Sequence, residues 1–339
     1  GYHAWQQMDP ARRRADLGRW ASSLAPLAES VQLLMQLLRD SGSPQKVLAT
    51  GGQLQQNLPQ GRSFQLMRLR IDPSLNLVPE ISANRLLVSV RLMKHEPAER
   101  LQASTEALRC LAYRAALALD EAAHHEHPEQ RARQSAIAAL LTPIVKAFGT
   151  QQGFEGAHRA LQVFGGYGYV RETGVEQTLR DARIAMIYEG TNEIQAIDLV
   201  QRKLLGDEGR ALQVLLAEFE AEAQAAHGAG VPDLANALRE QIEHAQEGLR
   251  SLQVAARSGR EAVLALCDDA LAAYAHLCQA WAWTASARAC AQLLAQAPED
   301  TQARARLERM RYGVQWLLPQ AQVHWQALRA APPLPLEVA

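Results

Sequence analysis

Apolar residues recur at spacings of three and four near the start of the chain. Leu24, Leu27, Val31, Leu34 and Leu38 fall on one stripe, which predicts an amphipathic helix. The pattern stops at the breaker cluster Ser41-Gly42-Ser43-Pro44, and beyond it the period changes to two. Met67, Leu69 and Ile71 face one way while Arg68 and Arg70 face the other. Leu86, Val88, Val90 and Leu92 make a second apolar row opposite Ser89 and Arg91. Such alternation predicts half-buried strands, and with Asp72-Pro73-Ser74 and Pro79 as punctuation, residues 44–95 read as a small antiparallel β unit ended by Pro97. From about Thr105 the sequence is alanine-rich and helical. Leu108, Leu111, Ala115 and Leu119 mark one helix, which stops near His127-Pro128. A second is expected from about Ala132 to Phe164, with Pro143 kinking or dividing it. Gly165-Gly166-Tyr167-Gly168 reads as a loop. A helix from Val175 to about Ala185 leads to a turn at Glu189, and another runs from Asn192 to Leu205. The remainder predicts about four more helices, with breaks near residues 228–232 and 298–300. The fold class is mainly α, with one small β unit.

Composition narrows the class further. A chain of 339 residues with net charge −1 has length for two or three domains, and nothing global suggests nucleic acid as a partner. Residues 1–100 carry 13 Lys and Arg against 8 Asp and Glu, whereas the remainder carries 22 against 28, so two different surfaces are expected. Cys110, Cys267, Cys278 and Cys290 show no paired spacing and lie in helical sequence, as reduced thiols of a cytoplasmic protein would. No apolar run approaches a membrane span, and no secretory signal opens the chain. Residue 1 is Gly rather than Met, which fits a chain that begins partway into a longer protein.

Glu189, in the run RDARIAMIYEGTNEIQ, is the candidate catalytic residue. A carboxylate followed by Gly and a helix-capping Thr-Asn pair can sit on a turn, with its side chain projected into a cleft. That placement suits a general base that takes a proton from carbon, provided desolvation raises its pKa towards working pH. A solvated glutamate ahead of a helix is the plainer reading. Asn192 with Gln195 fits a capping box, which alone explains much of TNEIQ. Arg180, Asp181 and Arg183 are placed to form ion pairs that position the turn. GGYGYV follows a helix and is not G-x-G-x-x-G, so no Rossmann reading applies. His124-His125-Glu126-His127 beside Pro128 reads as a solvated helix end, and no metal site is expected. Trp281 and Trp283 read as core or interface anchors.

Beyond these local patterns, LLTPIVKAF, ALQVFGGYGYVRETGVEQTLRDARI and IYEGTNEIQ closely resemble the C-terminal helical domain of the acyl-CoA dehydrogenases over residues 105–205. The ending ARARLERMRYGVQWLLPQAQVHW resembles the helical extension of a bacterial branch that includes the 3-methylmercaptopropionyl-CoA dehydrogenases. This resemblance implies α,β-dehydrogenation of an acyl-CoA. Glu189 would take the α-proton, the β-hydrogen would leave as hydride to FAD, and electrons would pass to an electron-transfer flavoprotein. It implies further that Tyr188 and Gly190 lie beside the acyl thioester, that Thr191, Asn192 and Glu193 contact FAD, and that Gln162, Gly165 and Gly166 reach the FAD of a neighbouring subunit in a homo-oligomer. Some members carry Gln where Glu193 stands.

Residues 1 to about 103 are similar instead to the C-terminal half of the ZapD cell-division factors, through GYHAWQQMDPARRRADLGRW, LLRDSG, GGQLQQNL and VPEISANRLLVSVRLM. That resemblance implies a partner, FtsZ, whose acidic C-terminal peptide would lie on Arg68, Arg70, Arg85 and Arg91. An ordinary solvated sheet face is the plainer reading of those arginines. The expected organisation is a helical segment 1–43, a ZapD-like β unit 44–103, an acyl-CoA dehydrogenase C-terminal domain 104–205 and a helical extension 206–339. The N-terminal and middle domains of an acyl-CoA dehydrogenase are not seen in the sequence. The chain reads as two truncated family members joined near residues 98–105, inactive alone.

Overall fold

The computed structural model describes residues 97–330. The expected first helix, both expected strands and Arg68, Arg70, Arg85 and Arg91 lie outside the described residues. Within them the chain is helical, with no strand.

The first helix, α1, spans Pro97–His124 and so begins about eight residues before the apolar pattern suggested. Pro97 opens it because a first-turn proline lacks only an N–H that no carbonyl would receive. Its buried stripe is Ala103, Ala107, Leu111, Ala115 and Ala118, whereas Leu119 is exposed. The stripe therefore follows alanines, which let the next helix approach closely. That helix, α2, runs Pro128–Val163 and is not divided at Pro143, which is buried inside it. Thr142 Oγ1 donates to the Ala138 carbonyl at 2.7 Å in the turn that the proline interrupts. Ile137, Leu140, Leu141, Ile144, Ala147 and Phe148 face the core from α2.

The glycine stretch is not a plain loop. It forms a short turn of helix, α3, Gly166–Tyr169, followed by a 3₁₀ turn at Arg171–Thr173. Gly168 packs so tightly that a Cβ there would lie 2.4 Å from the Leu161 carbonyl oxygen. Next come α4, Val175–Ile184, and α5, Asn192–Ile197, which continues as a π-helical stretch over Asp198–Leu205. The remaining helices are α6 Arg210–Gly228, α7 Pro232–Ser258, α8 Arg260–Leu264, α9 Cys267–Gln296, α10 Thr301–Tyr312 and α11 Ala321–Arg329. The expected breaks near 228–232 and 298–300 are present. Asp300 Oδ1 caps α10 by accepting from the amides of Gln302 and Ala303 at 2.9 and 3.0 Å.

Helix α9 is apolar on nearly every side between Ala270 and Thr284, as a helix surrounded by others must be. Trp283 is fully buried and Trp281 nearly so, the latter stacked on Phe219 at 5.3 Å between centroids. Buried residues from Ala103 to Leu328 form one continuous core, so α1–α5 and α6–α11 share an interior. Several of the buried polar groups here are matched. Trp283 Nε1 donates to the Ala103 carbonyl at 2.9 Å, Trp325 Nε1 to Gln241 Oε1 at 2.8 Å, and the Tyr274 hydroxyl to the Ala245 carbonyl at 2.9 Å. Arg114 of α1 grips Glu218 of α6 through two bonds of 2.8 and 2.7 Å, and Glu106 accepts from Arg306 and Arg309 of α10. All four cysteines are free. Burial pushes the Cys267 thiol up to about 11 and the Cys278 thiol up to about 12, so neither forms a thiolate readily.

His276 is buried in α9 against Phe148, with Nδ1 3.1 Å from Gln279 Oε1 and its ring stacked near His324. Burial first, and the neighbouring His324 second, lower its pKa from 6.5 to about 4. The unfolded chain therefore binds a proton that the folded chain refuses, and stability falls as pH drops from about 6.5 to about 4. A shift of that size corresponds to about 3 kcal/mol. Denaturant unfolding at pH 7 and pH 4 should show a stability loss about 3 kcal/mol larger in the parent than in His276→Gln. Parallel losses in the two proteins would exclude His276 as the source.

Candidate active site

The site is built on the link between α4 and α5. Tyr188 N donates to the Ile184 carbonyl at 3.2 Å, and Asn192 N reaches back to the Met186 carbonyl at 3.2 Å. Between these two ties the backbone turns through two consecutive left-handed residues, Glu189 with φ +54° and Gly190 with φ +87°. Glycine takes this conformation without cost, whereas glutamate does not. A Cβ on Gly190 would also lie 3.0 Å from Gln195 Nε2. The Glu189 side chain is exposed, as is Tyr188.

Thr191, not Asn192, is the cap of α5: its Oγ1 accepts from Ile194 N at 3.4 Å. The expected Asn192–Gln195 capping box is therefore absent, because Asn192 has a different task. Its Oδ1 accepts from Lys146 Nζ at 3.0 Å and Thr150 Oγ1 at 3.2 Å, and its Nδ2 donates to the Ala147 carbonyl at 3.1 Å. These three bonds fasten the turn to α2. Lys146 Nζ also donates to the Gly190 carbonyl at 2.5 Å. Sequence reasoning gave Lys146 no role, although it stands inside LLTPIVKAF. A lone lysine among apolar residues on a core-facing helix was the signal available.

Charge follows the same geometry. Burial pushes the Lys146 ammonium below the ordinary lysine range, opposed by Glu193 and Glu189. The Thr191 hydroxyl, then a backbone amide, hold the Glu193 carboxyl below the usual carboxylate range, with Arg183 and Lys146 adding to the effect. The expected ion-pair set takes another form. Arg180 reaches Glu176 at 4.0 Å, Arg183 lies over the Phe154 ring at 5.8 Å and touches Met186 Sδ at 3.4 Å, and among the described residues Asp181 makes no ion pair.

Gln162, Gly165 and Gly166 lie together at the exposed C-terminal end of α2, and a Cβ at Gly165 or Gly166 would meet nothing within 4 Å. The geometry fits a flavin only as an edge. Gln162, Gly165, Gly166 and Glu193 are exposed, the Thr191 hydroxyl is engaged by Ile194 N and Glu193, the Asn192 side chain is taken up by α2, and Glu189 and Tyr188 are exposed. A separate cavity of about 680 Å³, lined by Leu101, Leu108, Gly149, Gly153, His276 and Gln279 among others, touches none of the predicted site residues. At the connection between α1 and α2, His125 Nδ1 accepts from His127 N at 3.1 Å. Among the described residues, no group of three or more His, Cys, Asp or Glu is placed to hold a metal. No described helix is long and apolar enough to cross a membrane.

The bundle and the YEGT turn are similar to an acyl-CoA dehydrogenase C-terminal region. Residues 65–205 match the family model "Acyl-CoA dehydrogenase, C-terminal domain", and residues 215–337 match "Acetyl-CoA dehydrogenase C-terminal like". Residues 1–91 match the ZapD cell division protein family, so the two resemblances overlap at residues 65–91, upstream of the join expected near 98–105.

Among individual relatives, the 3-methylmercaptopropionyl-CoA dehydrogenase of Ruegeria pomeroyi is 48% identical over 111 residues, 33% of this chain and 19% of the relative. Cell division protein ZapD of a Janthinobacterium species is 41% identical over 95 residues, 28% of this chain and 38% of the relative. The chain thus spans less than two fifths of either relative. Caenorhabditis elegans ACDH-11, solved in complex with C11-CoA, is similar with a TM-score of 0.50 at 16% identity, covering 66% of this chain and 35% of that one. At that identity the likeness concerns the fold.

The left-handed glutamate generates a prediction. Glu189→Gly should relieve backbone strain and raise unfolding free energy by up to about 1 kcal/mol, whereas Gly190→Ala should lower it by about 1–2 kcal/mol. A loss of stability in Glu189→Gly would show that the carboxylate serves the fold instead.

Proposed function

We propose that this chain carries the catalytic-base portion of an FAD-dependent acyl-CoA dehydrogenase and is incomplete as an enzyme. The observation that carries the reading is Glu189 on a left-handed turn, held by Lys146 and Asn192, with its carboxylate free at the surface. Glu189 would take the α-proton of an acyl thioester lying beside Tyr188 and Gly190. Thr191, Glu193 and the backbone of Asn192 would border the flavin, and Gln162, Gly165 and Gly166 would meet the flavin of a second subunit in a homo-oligomer. FAD, when bound, supplies the acceptor for the β-hydrogen, and an electron-transfer flavoprotein receives the electrons. The reading places the chain in the cytoplasm, acting on an acyl-CoA in β-oxidation-type chemistry.

A base acting on a weakly acidic carbon needs a dry setting. The described residues leave Glu189 in water, which supports inactivity of the chain alone. The purified chain is expected to hold no stoichiometric flavin and to turn over no acyl-CoA. A full visible flavin band that bleaches on adding an acyl-CoA would refute the incomplete reading.

The match of residues 1–91 favours a second reading. In it, the residues ahead of Pro97 supply a ZapD-like helix and β unit that binds FtsZ, while the helical body from α1 onward is a passenger. Arg68, Arg70, Arg85 and Arg91 would meet an acidic peptide through charge-assisted bonds. Co-sedimentation with FtsZ polymers, lost on replacing Arg68 and Arg91, is the expected result. No pelleting would eliminate it. Sequencing independent DNA across the codons for residues 90–110 tests whether the two parts are joined in the genome.

A further inference from the structure

We propose that Lys146 is the positioning residue of the Glu189 turn: its ammonium fixes the Gly190 carbonyl and Asn192, and so presents the carboxylate. The inference deepens the dehydrogenase reading and rests on it for the role of Glu189. It does not rest on it for the behaviour of the turn.

Three observations carry it. The first is connectivity. Lys146 sits in α2, 44 positions from Gly190, and bonds both to the residue that follows Glu189 and to the side chain of Asn192. It therefore spans Thr191, the cap of α5, and links both sides of it. The second is placement against electrostatic preference. Gly190 and Thr191 stand at the N-terminal end of α5, where the helix dipole disfavours a cation. Burial disfavours this one as well. A lysine kept in such a place is held by what it bonds, here a carbonyl and an amide oxygen, with Glu189 and Glu193 as the nearby countercharges. The third is strain. Left-handed glutamate followed by left-handed glycine does not persist unless its surroundings fix it. The two backbone ties at Tyr188 and Asn192 close the turn, and the Lys146 bond fixes the carbonyl between them. Lys146 bonds to the Gly190 carbonyl and Asn192 Oδ1, not to the Glu189 carboxylate. It acts through the turn.

The test is hydrogen–deuterium exchange of the full chain, followed by mass spectrometry. Lys146→Met should raise exchange in the peptide covering residues 186–195 about tenfold, with α6 and α9 peptides unchanged. In Lys146→Ala, added ethylammonium should restore slow exchange to that peptide, which a merely space-filling role would not allow. Unchanged exchange in Lys146→Met overturns the proposal. So does a loss of protection spread across the bundle, or global unfolding, because Lys146 would then serve the core. Failure of ethylammonium to restore protection also overturns it. Because the readout involves no catalysis, a Glu189 that proves not to be a base leaves these outcomes as they are.

Discussion

The indole of Trp283 joins the two halves of the helical body. Its N–H donates to the Ala103 carbonyl, so α9 and α1 are tied across 180 positions of sequence at full burial. A buried indole N–H without a partner would cost about 1–3 kcal/mol. The ring also lies against Gly313, where a Cβ would fall 2.5 Å from Cε2. One side chain thus sets the approach of α1, α9 and the segment after α10. The alanine stripe of α1 follows from this constraint, because larger residues at Ala103 and Ala107 would hold α1 away. The bidentate Arg114–Glu218 pair ties α1 to α6, and Glu106 ties it to α10.

The Glu189 turn depends on this body at one remove. Helix α2 offers Ile144, Ala147 and Phe148 to the core, which orients the intervening face carrying Lys146 and Thr150 towards the turn. Phe148 packs edge-on against His276 of α9. The extension therefore supports the helix that supports the turn. The chemistry differs from the scaffold in one respect. The ties that hold the Glu189 turn join described residues, and the Glu189 side chain is exposed among them.

Much of this was legible in the sequence, and the failures have physical causes. The existence of α2, α4 and α5 follows from apolar spacing, and the breaks near Gly228 and Asp300 follow from glycine, proline and capping chemistry. The start of α1 was missed because alanines carry a weak apolar signal, and Pro97 was read as a stop when it serves as a first-turn residue. Leu119, which helps mark the helix in the sequence, is exposed, and Ala118 is buried beside it because the closest contact selects size before hydrophobicity. Pro143 leaves α2 whole because burial against neighbouring helices outweighs one missing bond. At the site, YEGT singled out Glu189. The cap was placed one residue late because Asn192 is drawn away by Lys146, a contact 46 positions distant that no local pattern contains.

The single core has a consequence for where such a chain can be cut or joined. The family matches divide near residues 205–215, yet buried residues on both sides of that point interlock through Trp283 and its neighbours. A break there would leave two pieces, each with an open apolar face. Pro97 stands at the first turn of α1, ahead of Ala103, the first core residue among those described. A cut inside the described helical body therefore separates residues that share one core, whichever family match it follows. The stretches that the family matches share and the stretch that shares one core therefore have different ends.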